Sequence, residues 1–419
     1  MDRTTAKFGI LVGGGPAPGI NSVIEAATIR SRLSGVTVVG LEDGFKWLMK
    51  GDHSHIQSLT RQTVSHIHFR GGSILGTSRA NPTKHPQDLS TTFEALRQLN
   101  LTGLITIGGD DTAFSALKLA ELAQGRLQVV HVPKTIDNDL CLPHGMPTFG
   151  FQTARHMGVS LVKNLMIDAH TTSRWYFVVT MGRKAGHLAL GIGKAAGATL
   201  TLIPEEFKEN GPLKLSHLTT ILAGSIIKRL AQHRADGVAV LAEGLSELLD
   251  QEDLTLLGGV ERDEHGHIRL AELDIGKVLK ETVTRKLKHH DVNITIVSKN
   301  IGYELRCADP IPFDMEYTRD LGYCAAQYLL DGGQEAMISM VDGRFTPLPF
   351  KDMLDPATGR TRVRMVDTES ESYQIARAYM ARLQSEDFTQ PESLSLYAKC
   401  LNLSSEQFQT TFQEISQIS

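Results

Sequence analysis

The chain has 419 residues, of which 41% are apolar, and a formal net charge of −4. A chain of this length is too long to fold around one hydrophobic core, so two lobes are expected. The charge balance gives no sign of a nucleic-acid or membrane partner, and no apolar run approaches the roughly 18 residues of a membrane span. The four cysteines form no C-x-x-C pair and are too few for a disulfide framework, which predicts buried thiols in a reducing, cytosolic compartment.

Six short apolar runs along the chain each lead into a cluster of glycine and polar residues. The runs are FGILV (8–12), LITI (104–107), VVHV (129–132), WYFVVT (175–180), GVAVLA (237–242) and NITIVS (293–298). Segments with apolar residues at helical spacing separate many of them. This alternation predicts an α/β fold with mostly parallel sheets flanked by helices. In such sheets ligands bind beyond the carboxyl ends of the strands, so the active site is expected in a cleft at these strand ends.

The first run leads into GGGPAPGIN, residues 13–21, a glycine-rich turn between a strand and a helix. Backbone N–H groups in such a turn can face an anion, and the positive end of the helix adds to the attraction. The motif is not a Rossmann fingerprint, because Pro18 replaces the third glycine. It is not a Walker A loop either, because Ile20 and Asn21 replace Lys and Ser or Thr. A tight turn without a ligand is the alternative.

The second run leads into GGDDT, residues 108–112. Asp111 or Thr112 can serve as a helix N-cap, but that role does not explain two adjacent aspartates after two glycines. Asp110, at a strand end beside a phosphate site, is a candidate Mg²⁺ ligand. Mg²⁺ commonly takes one or two carboxylates and completes its shell with water and phosphate oxygens, so it is the expected cofactor.

The third run leads into PKTIDND, residues 133–139, which holds one cation and two carboxylates. Asp137 and Asp139 flank Asn138, so in an extended backbone their side chains would point the same way. A carboxylate beside an incoming hydroxyl group can accept its proton during phosphoryl transfer, while Lys134 offers a point charge to a phosphate oxygen. The alternative is a polar turn with an internal Lys–Asp pair.

A family resemblance rests on six motifs between Gly13 and Arg306: GGGPAPGIN, GGSILGTSR, GGDDT, PKTIDND, MGR and GYELR. With these motifs in this order, the chain resembles the phosphofructokinase family and, within it, the pyrophosphate-dependent branch. ATP-using members usually have glycine where Asp111 and Lys134 stand here. Asp111 would crowd and repel the α-phosphate of a nucleotide, by roughly 4 kcal/mol for unit charges about 4 Å apart. Lys134 would supply a charge to the small diphosphate.

The resemblance implies a role for each residue that matches a motif. The donor phosphates and Mg²⁺ would be met by Gly14, Arg79, Asp110, Asp111 and Lys134. The sugar hydroxyl would be met by Thr135 and by Asp137, the general base, while Asp139 would support that site and Ile136 would also bind substrate. The rest of the sugar phosphate would be met by Arg174, Met181, Gly182, Arg183, Glu243, Tyr303, Glu304, Leu305 and Arg306. Of these residues, Asp111, Lys134, Asp137 and Arg183 would be catalytic, and Arg174 matches one that in some members reaches in from a neighbouring subunit.

The implied reaction is reversible phosphoryl transfer from diphosphate to the 1-hydroxyl of fructose 6-phosphate, catalysed by a cytosolic homo-oligomer of two or four chains. The expected division is a donor lobe of residues 1–148 with about 310–360, a sugar lobe of residues 149–309 and peripheral helices over 361–419. A second sugar-phosphate arginine, expected near Val297, is missing, and Lys299 is the available substitute. The alternatives are an ATP-dependent member, an NAD or lipid kinase with a similar GGD loop, and a catalytically silent regulatory subunit.

Overall fold

A computed structural model describes residues 6–250, 252–253 and 274–413 of the chain. It divides into two compact units, one formed by Met1–Ala154 with Tyr303–Arg364 and the other by Arg155–Gly302 with Met365–Ser419. Residues 303–309, which were expected in the sugar lobe, fall in the first unit. Residues 365–413, which were expected as peripheral helices, belong to the second unit.

The strands are numbered in chain order. They are β1 Lys7–Val12, β2 Thr37–Leu41, β3 Ile56–Leu59, β4 Gly103–Gly108, β5 Gln128–Thr135, β6 Phe149–Gly150, β7 Trp175–Thr180, β8 Leu200–Leu202, β9 Gly237–Ala242, β10 Ile296–Ile301, β11 Ala336–Met337, β12 Met340–Val341, β13 Arg344–Phe345 and β14 Leu348–Pro349.

The helices are cited by their bounds. The α-helices are Ile20–Leu33, Pro86–Gln98, Asp110–Ala123, Phe151–Thr172, His187–Ala196, Leu215–Leu230, Leu245–Leu248, Ile275–Lys288, Tyr303–Arg306, Pro312–Leu330, Glu371–Ala378, Ser385–Thr389, Pro391–Cys400 and Ser405–Phe412. Short 3₁₀ helices cover Leu48–Lys50, Pro143–Gly145, Pro204–Asn210 and Phe350–Met353.

The first unit contains an eight-stranded sheet in the order β14-β11-β5-β4-β1-β2-β3, with β6 paired to β5. The central strands β1, β4 and β5 are parallel and rich in buried Val, Ile and Leu, as a sheet covered on both faces requires. Helices Ile20–Leu33 and Pro312–Leu330 cover one face, and Pro86–Gln98 and Asp110–Ala123 cover the other. The predicted α/β fold with a mostly parallel sheet is confirmed.

The register of this sheet brings three predicted loops to one edge. Val12 at the end of β1 pairs with Ile107 of β4, and Gly108 at the end of β4 pairs with Pro133 of β5. The glycine-rich turn, the GGDDT loop and the PKTIDND loop therefore leave neighbouring strands at the same end. This is the edge where ligands bind in open α/β sheets.

The second unit contains a four-stranded parallel sheet in the order β10-β7-β9-β8. Thr180 at the end of β7 pairs with Ala242 of β9 and with Ile301 of β10, so the three segments that follow also share one edge. The core of this unit includes Phe408 and Phe412 from the C-terminal helices, and both rings are fully buried. This burial explains why the C-terminal helices form part of the unit.

Two expectations from composition have different outcomes. No helix among the described residues is long and apolar enough to cross a membrane. The prediction of buried thiols is wrong for Cys141 and Cys307, which are exposed, and Cys324 and Cys400 are half-buried. The two exposed cysteines lie in loops directly after motifs, where the chain has left the core.

Candidate active site

The glycine-rich turn of the first unit is tied to its neighbours through its backbone. The Gly13 amide donates to the carbonyl of Ile107 at 2.9 Å, and the Gly14 amide donates to the carbonyl of Ser78 at 2.8 Å. The Thr77 hydroxyl donates to the Gly14 carbonyl at 2.7 Å. The expectation that the turn offers its N–H groups to an anion is therefore wrong for these two amides, because the protein already uses them.

Close packing explains why this edge is rich in glycine. A Cβ at Gly13 or at Gly108 would overlap the buried side chain of Thr112. A Cβ at Gly15 would lie 2.7 Å from Nη1 of Arg306, which shows how near this guanidinium is to the turn. The glycine-rich turn and the GGDDT loop can thus approach each other only because these positions carry no side chain. Arg306 of the GYELR motif also comes close to the turn.

Lys134 is the most deeply buried charged group of this edge, with 4% of its surface exposed. Its Nζ donates to the carbonyl of Gly15. Burial lowers the pKa of Lys134 to about 8. The charged groups that act on it are Asp137 and Asp139, which raise that pKa, and Arg306 and Arg79, which lower it. The structure therefore brings together five charged residues from three of the predicted motifs.

His131 supports this edge and was missed in the sequence, where it stands inside the apolar run VVHV. Its ring is fully buried, with Nδ1 2.8 Å from the Thr106 hydroxyl and Nε2 3.0 Å from the carbonyl of Gly108. Burial lowers the pKa of His131 to about 3, so the ring is neutral near pH 7. Since a carbonyl only accepts, Nε2–H donates to Gly108 and the threonine donates to Nδ1. The signal in the sequence was one polar residue in a buried strand.

The GGDDT loop starts the helix Asp110–Ala123. Gly109 is its N-cap and provides no side-chain cap, so the alternative role of Asp111 or Thr112 as the cap residue does not apply. Oδ1 of Asp110 accepts a hydrogen bond from the Asp111 amide at 2.9 Å. Asp111 is exposed and Asp110 is half-buried. Both carboxylates lie in the first turn, where the helix dipole favours negative charge.

The PKTIDND loop turns sharply between its two aspartates. Asn138 has φ +58°, so the expectation of an extended backbone that points Asp137 and Asp139 the same way is wrong. The Asp137 amide donates to the Thr135 hydroxyl at 3.1 Å, which fixes the start of the turn. The Ile136 side chain is buried, so only its main chain is available to a ligand.

The GYELR motif forms the single helical turn Tyr303–Arg306. Tyr303 is 76% exposed, and the Arg306 guanidinium lies 4.6 Å from the centre of its ring. Nε of Arg306 is buried and has no hydrogen-bond partner among the described residues. Leu305 is fully buried, so it offers only main-chain atoms, while Glu304 is exposed. A buried guanidinium nitrogen without a partner suits an anion that completes its hydrogen bonds.

The second unit presents a second group of predicted residues. The Glu243 amide donates to the carbonyl of Thr180 at 2.9 Å, and the Gly244 amide donates to the carbonyl of Gly182 at 3.1 Å. These bonds place Arg183 Nε 3.7 Å from Glu243 Oε1. The two side chains are 50% and 32% exposed, so this is a loose ion pair that water reaches.

Glu205 anchors the loop that follows Arg183 and was also missed. Its Oε1 accepts hydrogen bonds from the Gly186 amide at 2.9 Å and from the Val366 amide at 3.0 Å. Burial raises the pKa of the nearby Glu247, and Arg183 opposes that rise. The sequence around Glu205 gives no signal for this role, because its partners, Gly186 and Val366, are distant along the chain.

A family model described as phosphofructokinase matches residues 7–329. The chain belongs to the phosphofructokinase family. A pyrophosphate–fructose 6-phosphate 1-phosphotransferase of Thermotoga maritima is 51% identical over 98% of this chain and 99% of its own. One of Naegleria fowleri is 49% identical over 99% and 97%. An ATP-dependent 6-phosphofructokinase of Natranaerobius thermophilus is 30% identical over 83% and 93%.

Two solved phosphofructokinase structures support the fold. A pyrophosphate-dependent enzyme of Marinobacter aquaeolei matches 95% of this chain and 92% of its own, with a TM-score of 0.67 and 16% identity. The T-state enzyme of Pichia pastoris matches 98% of this chain and 39% of its own, with a TM-score of 0.66 and 21% identity. At these identities the match supports the phosphofructokinase fold alone.

Three phosphofructokinase positions remain predictions about binding. Arg174 is half-buried, and its Nε has no hydrogen-bond partner among the described residues. Lys299 is exposed on β10, whereas Val297 is half-buried, so Lys299 is the more accessible of the two.

Proposed function

We propose that this protein transfers a phosphoryl group reversibly from diphosphate to the 1-hydroxyl of D-fructose 6-phosphate. The products are fructose 1,6-bisphosphate and orthophosphate. The observation that carries the proposal is a cluster of cations at the strand edge. Lys134 is buried there, and the charges of Arg79 and Arg306 are close enough to lower its pKa. Such a cluster suits a small donor with several negative charges. The name of the Thermotoga maritima relative, which is similar over nearly its whole length, supports the same reaction.

The first-unit residues account for the chemical step. The 1-hydroxyl oxygen attacks the terminal phosphorus of diphosphate, the bridging P–O bond breaks, and orthophosphate leaves. Asp137 accepts the hydroxyl proton, and Lys134 with Arg79 neutralises the charge on the phosphates. The broken bond and the new ester are similar in cost, so the step runs both ways. Catalysis comes from positioning and charge, without a covalent intermediate.

Mg²⁺ is proposed as the cofactor, with Asp110 as its ligand from the protein. No group of three or more His, Cys, Asp or Glu among the described residues is arranged to hold a metal. A single carboxylate still fits Mg²⁺, which takes most of its ligands from water and phosphates. When bound, the ion would neutralise the phosphate oxygens. Calorimetric titration of Mg²⁺ in the presence of diphosphate, with wild type and Asp110→Asn, checks this assignment.

The residues that the family resemblance implies for the sugar phosphate fall into two groups. Met181, Gly182, Arg183 and Glu243 are assigned to the sugar, while Tyr303 and Arg306 are assigned to its phosphate. We also propose a cytoplasmic homo-oligomer of two or four chains, in which Arg174 reaches a neighbouring subunit. Light scattering checks this against the chain mass of 45.9 kDa.

Donor choice is the sharpest test of the proposed function. We expect wild type to use diphosphate in preference to ATP. Asp111→Gly removes a side chain that would repel an α-phosphate, so it should admit detectable ATP use. Lys134→Gly removes the cation that favours diphosphate, and the double variant should lose roughly 10- to 200-fold of its diphosphate activity, the value of one charged contact. The measurement is kcat/KM for each donor.

Asp88→Gly is the matched control, because Asp88 also lies in the first turn of a helix, Pro86–Gln98. It should leave the donor ratio unchanged. A wild-type protein that is active only with ATP, or inactive with both donors, would overturn the proposal. If the donor ratio of Asp111→Gly, of Lys134→Gly and of the double variant stays within about threefold of wild type, Asp111 and Lys134 do not determine the choice of donor.

A further inference from the structure

Arg364, the last residue of the first unit, lies outside residues 7–329 that match the family model. Its side chain makes three hydrogen bonds to the loop that follows β5. Nε donates to the carbonyl of Asn138 at 3.0 Å, Nη1 donates to the carbonyl of Met146 at 2.8 Å, and Nη2 donates to Oδ1 of Asn138. Its backbone amide donates to the carbonyl of Asp139 at 2.8 Å. One residue thus bonds to the segment on both sides of the turn.

The turn itself is a conformation that needs support. Asn138 has φ +58° and lies between the two aspartates, in the left-handed region that non-glycine residues adopt only rarely. Its Oδ1 also accepts from the Thr148 amide at 3.0 Å, and the Thr148 hydroxyl donates to the carbonyl of Thr135 at 3.0 Å. Asn138 is therefore held between Thr148 and Arg364, and the direction of Asp137 depends on how it is held.

We propose that Arg364 is a positioning residue that fixes the left-handed turn at Asn138 and so aims the Asp137 carboxylate at the acceptor hydroxyl. This inference rests on the proposed function, because Asp137 is the general base there. It assigns no ligand contact to Arg364, which acts through the loop. A misplacement of about 1 Å at a reacting group can lower the rate roughly 100-fold, so a residue that holds this turn can have a large effect on kcat.

The chemistry of arginine suits this role. Its planar guanidinium donates in several fixed directions, and here it uses three of its donors on acceptors from two parts of one loop. A lysine carries the same charge but presents its donors from a single nitrogen, so it cannot reproduce the spread of the planar fork. Burial lowers the pKa of Arg364, and the nearby Cys141, Asp139 and Tyr317 oppose that shift.

The test measures kcat and both KM values for Arg364→Ala and Arg364→Lys, with diphosphate and fructose 6-phosphate as substrates. Arg364→Ala should lower kcat roughly 10- to 100-fold and leave both KM values within about threefold. Arg364→Lys should recover only a part of kcat, because charge without the fork does not hold the turn. Circular dichroism and the thermal midpoint show whether each variant is folded.

Arg362→Ala is the matched control. Arg362 lies two residues away, is exposed, and donates through Nε to the carbonyl of Leu354 at 3.1 Å, away from the loop. It should retain at least half of the wild-type kcat. Should Arg364→Ala not fold, Asn138→Gly replaces it, because glycine tolerates the left-handed turn but lacks the Oδ1 acceptor. That variant should lower kcat relative to wild type with both KM values within about threefold, and a wild-type kcat for it would overturn the inference.

A double variant separates positioning from general destabilisation. If Arg364 acts through Asp137, adding Arg364→Ala to Asp137→Asn should lower the remaining rate by less than twofold, because the group it positions is already gone. An equal loss in both backgrounds, or a kcat for Arg364→Ala equal to that of Arg362→Ala, would overturn the inference. Wild type that is inactive with diphosphate would instead overturn the proposed function.

Discussion

Two loops that carry predicted site residues are held in different ways. In the first unit, the segment from Thr135 to Thr148 is tied down by Arg364 and by hydrogen bonds within the loop. In the second unit, the segment after Met181 is anchored by one carboxylate, Glu205, through the Gly186 amide. The first loop is held by the Arg364 side chain around its turn, whereas the second is held near its start by the bond from the Gly244 amide to the Gly182 carbonyl and further along by Glu205.

The charges differ in the same sense. Lys134 is 4% exposed and sits among other charged groups, while the Arg183 side chain is 50% exposed and 3.7 Å from Glu243. A buried charge costs free energy before any ligand arrives, whereas an exposed pair costs little to separate. The first unit therefore holds the charge of Lys134 in place at a cost in folding free energy. The second unit keeps the Arg183 cation in an exposed pair that can be separated at little cost.

The general base gives the largest expected effect. Asp137→Asn removes the proposed proton acceptor in the loop after β5, so kcat should fall roughly 10²- to 10⁴-fold while fructose 6-phosphate still binds. Steady-state kinetics and calorimetric binding measure the two quantities. Asp88→Asn serves as the control for loss of a carboxylate in the same unit. A variant that keeps more than half of the wild-type kcat would rule out Asp137 as the base.

Replacing Lys134 should lower the activity and raise the stability of the fold, because its buried charge favours the donor but costs folding free energy. Lys134→Met should lower kcat/KM for diphosphate roughly 10- to 200-fold, the value of one charged contact. At pH 7 it should raise the free energy of unfolding by about 1–3 kcal/mol, because it removes a buried cation whose pKa is depressed to about 8. Lys118→Met, on a partly exposed lysine paired with Glu121, should change neither quantity appreciably.

The sign of the pH dependence sharpens this test. Between the folded pKa of about 8 and an unfolded value of about 10.4, the unfolded chain binds more protons. The contribution of Lys134 to the free energy of unfolding therefore rises with pH across this window, and Lys134→Met should lose that rise. Wild-type kcat/KM should fall as pH passes about 8, because the amine loses its charge. Denaturant titrations that give the same pH slope for both proteins would contradict this account.

Arg183 should give the smallest effect on the fold and a moderate effect on binding. Arg183→Ala should raise KM for fructose 6-phosphate by about tenfold, as expected for one exposed charged contact. The free energy of unfolding should change by less than about 1 kcal/mol, because exposed ion pairs contribute little. Lys277→Ala, at an exposed position of the same unit, is the control. An unfolding free energy that drops by several kcal/mol would contradict the description of Arg183 and Glu243 as an exposed pair.

Local pattern in the sequence predicts the buried strands well. The runs over residues 175–180 and 237–242 coincide with β7 and β9, because strands buried on both faces are uninterrupted apolar runs. The run over 293–298 is displaced by three residues from β10, Ile296–Ile301, since this edge strand is partly exposed and its composition does not mark it. Where a strand lies in the sheet thus decides how clearly its sequence shows it.

The site was predictable where a motif is local and was missed where the partner is distant. The clusters after β1, β4 and β5 were located correctly at the strand ends, because topology alone brings them there. The turn at Asn138 was not, since its conformation depends on contacts with Arg364. His131 was hidden for a related reason, because its hydrogen bonds to Thr106 and Gly108 arise only when β4 and β5 pair.

The tie between Arg364 and Asn138 spans 226 residues, and this affects how the protein is made. At about 5–20 residues per second, a ribosome needs roughly 10–45 s after Asn138 to synthesise the arginine that holds the turn. During that interval β1, β4 and β5 can pair, but the loop after β5 lacks its last anchor. A nascent chain arrested before Arg364 should accordingly be cut by a protease between Asn138 and Thr148, and one arrested well beyond Arg364 should resist.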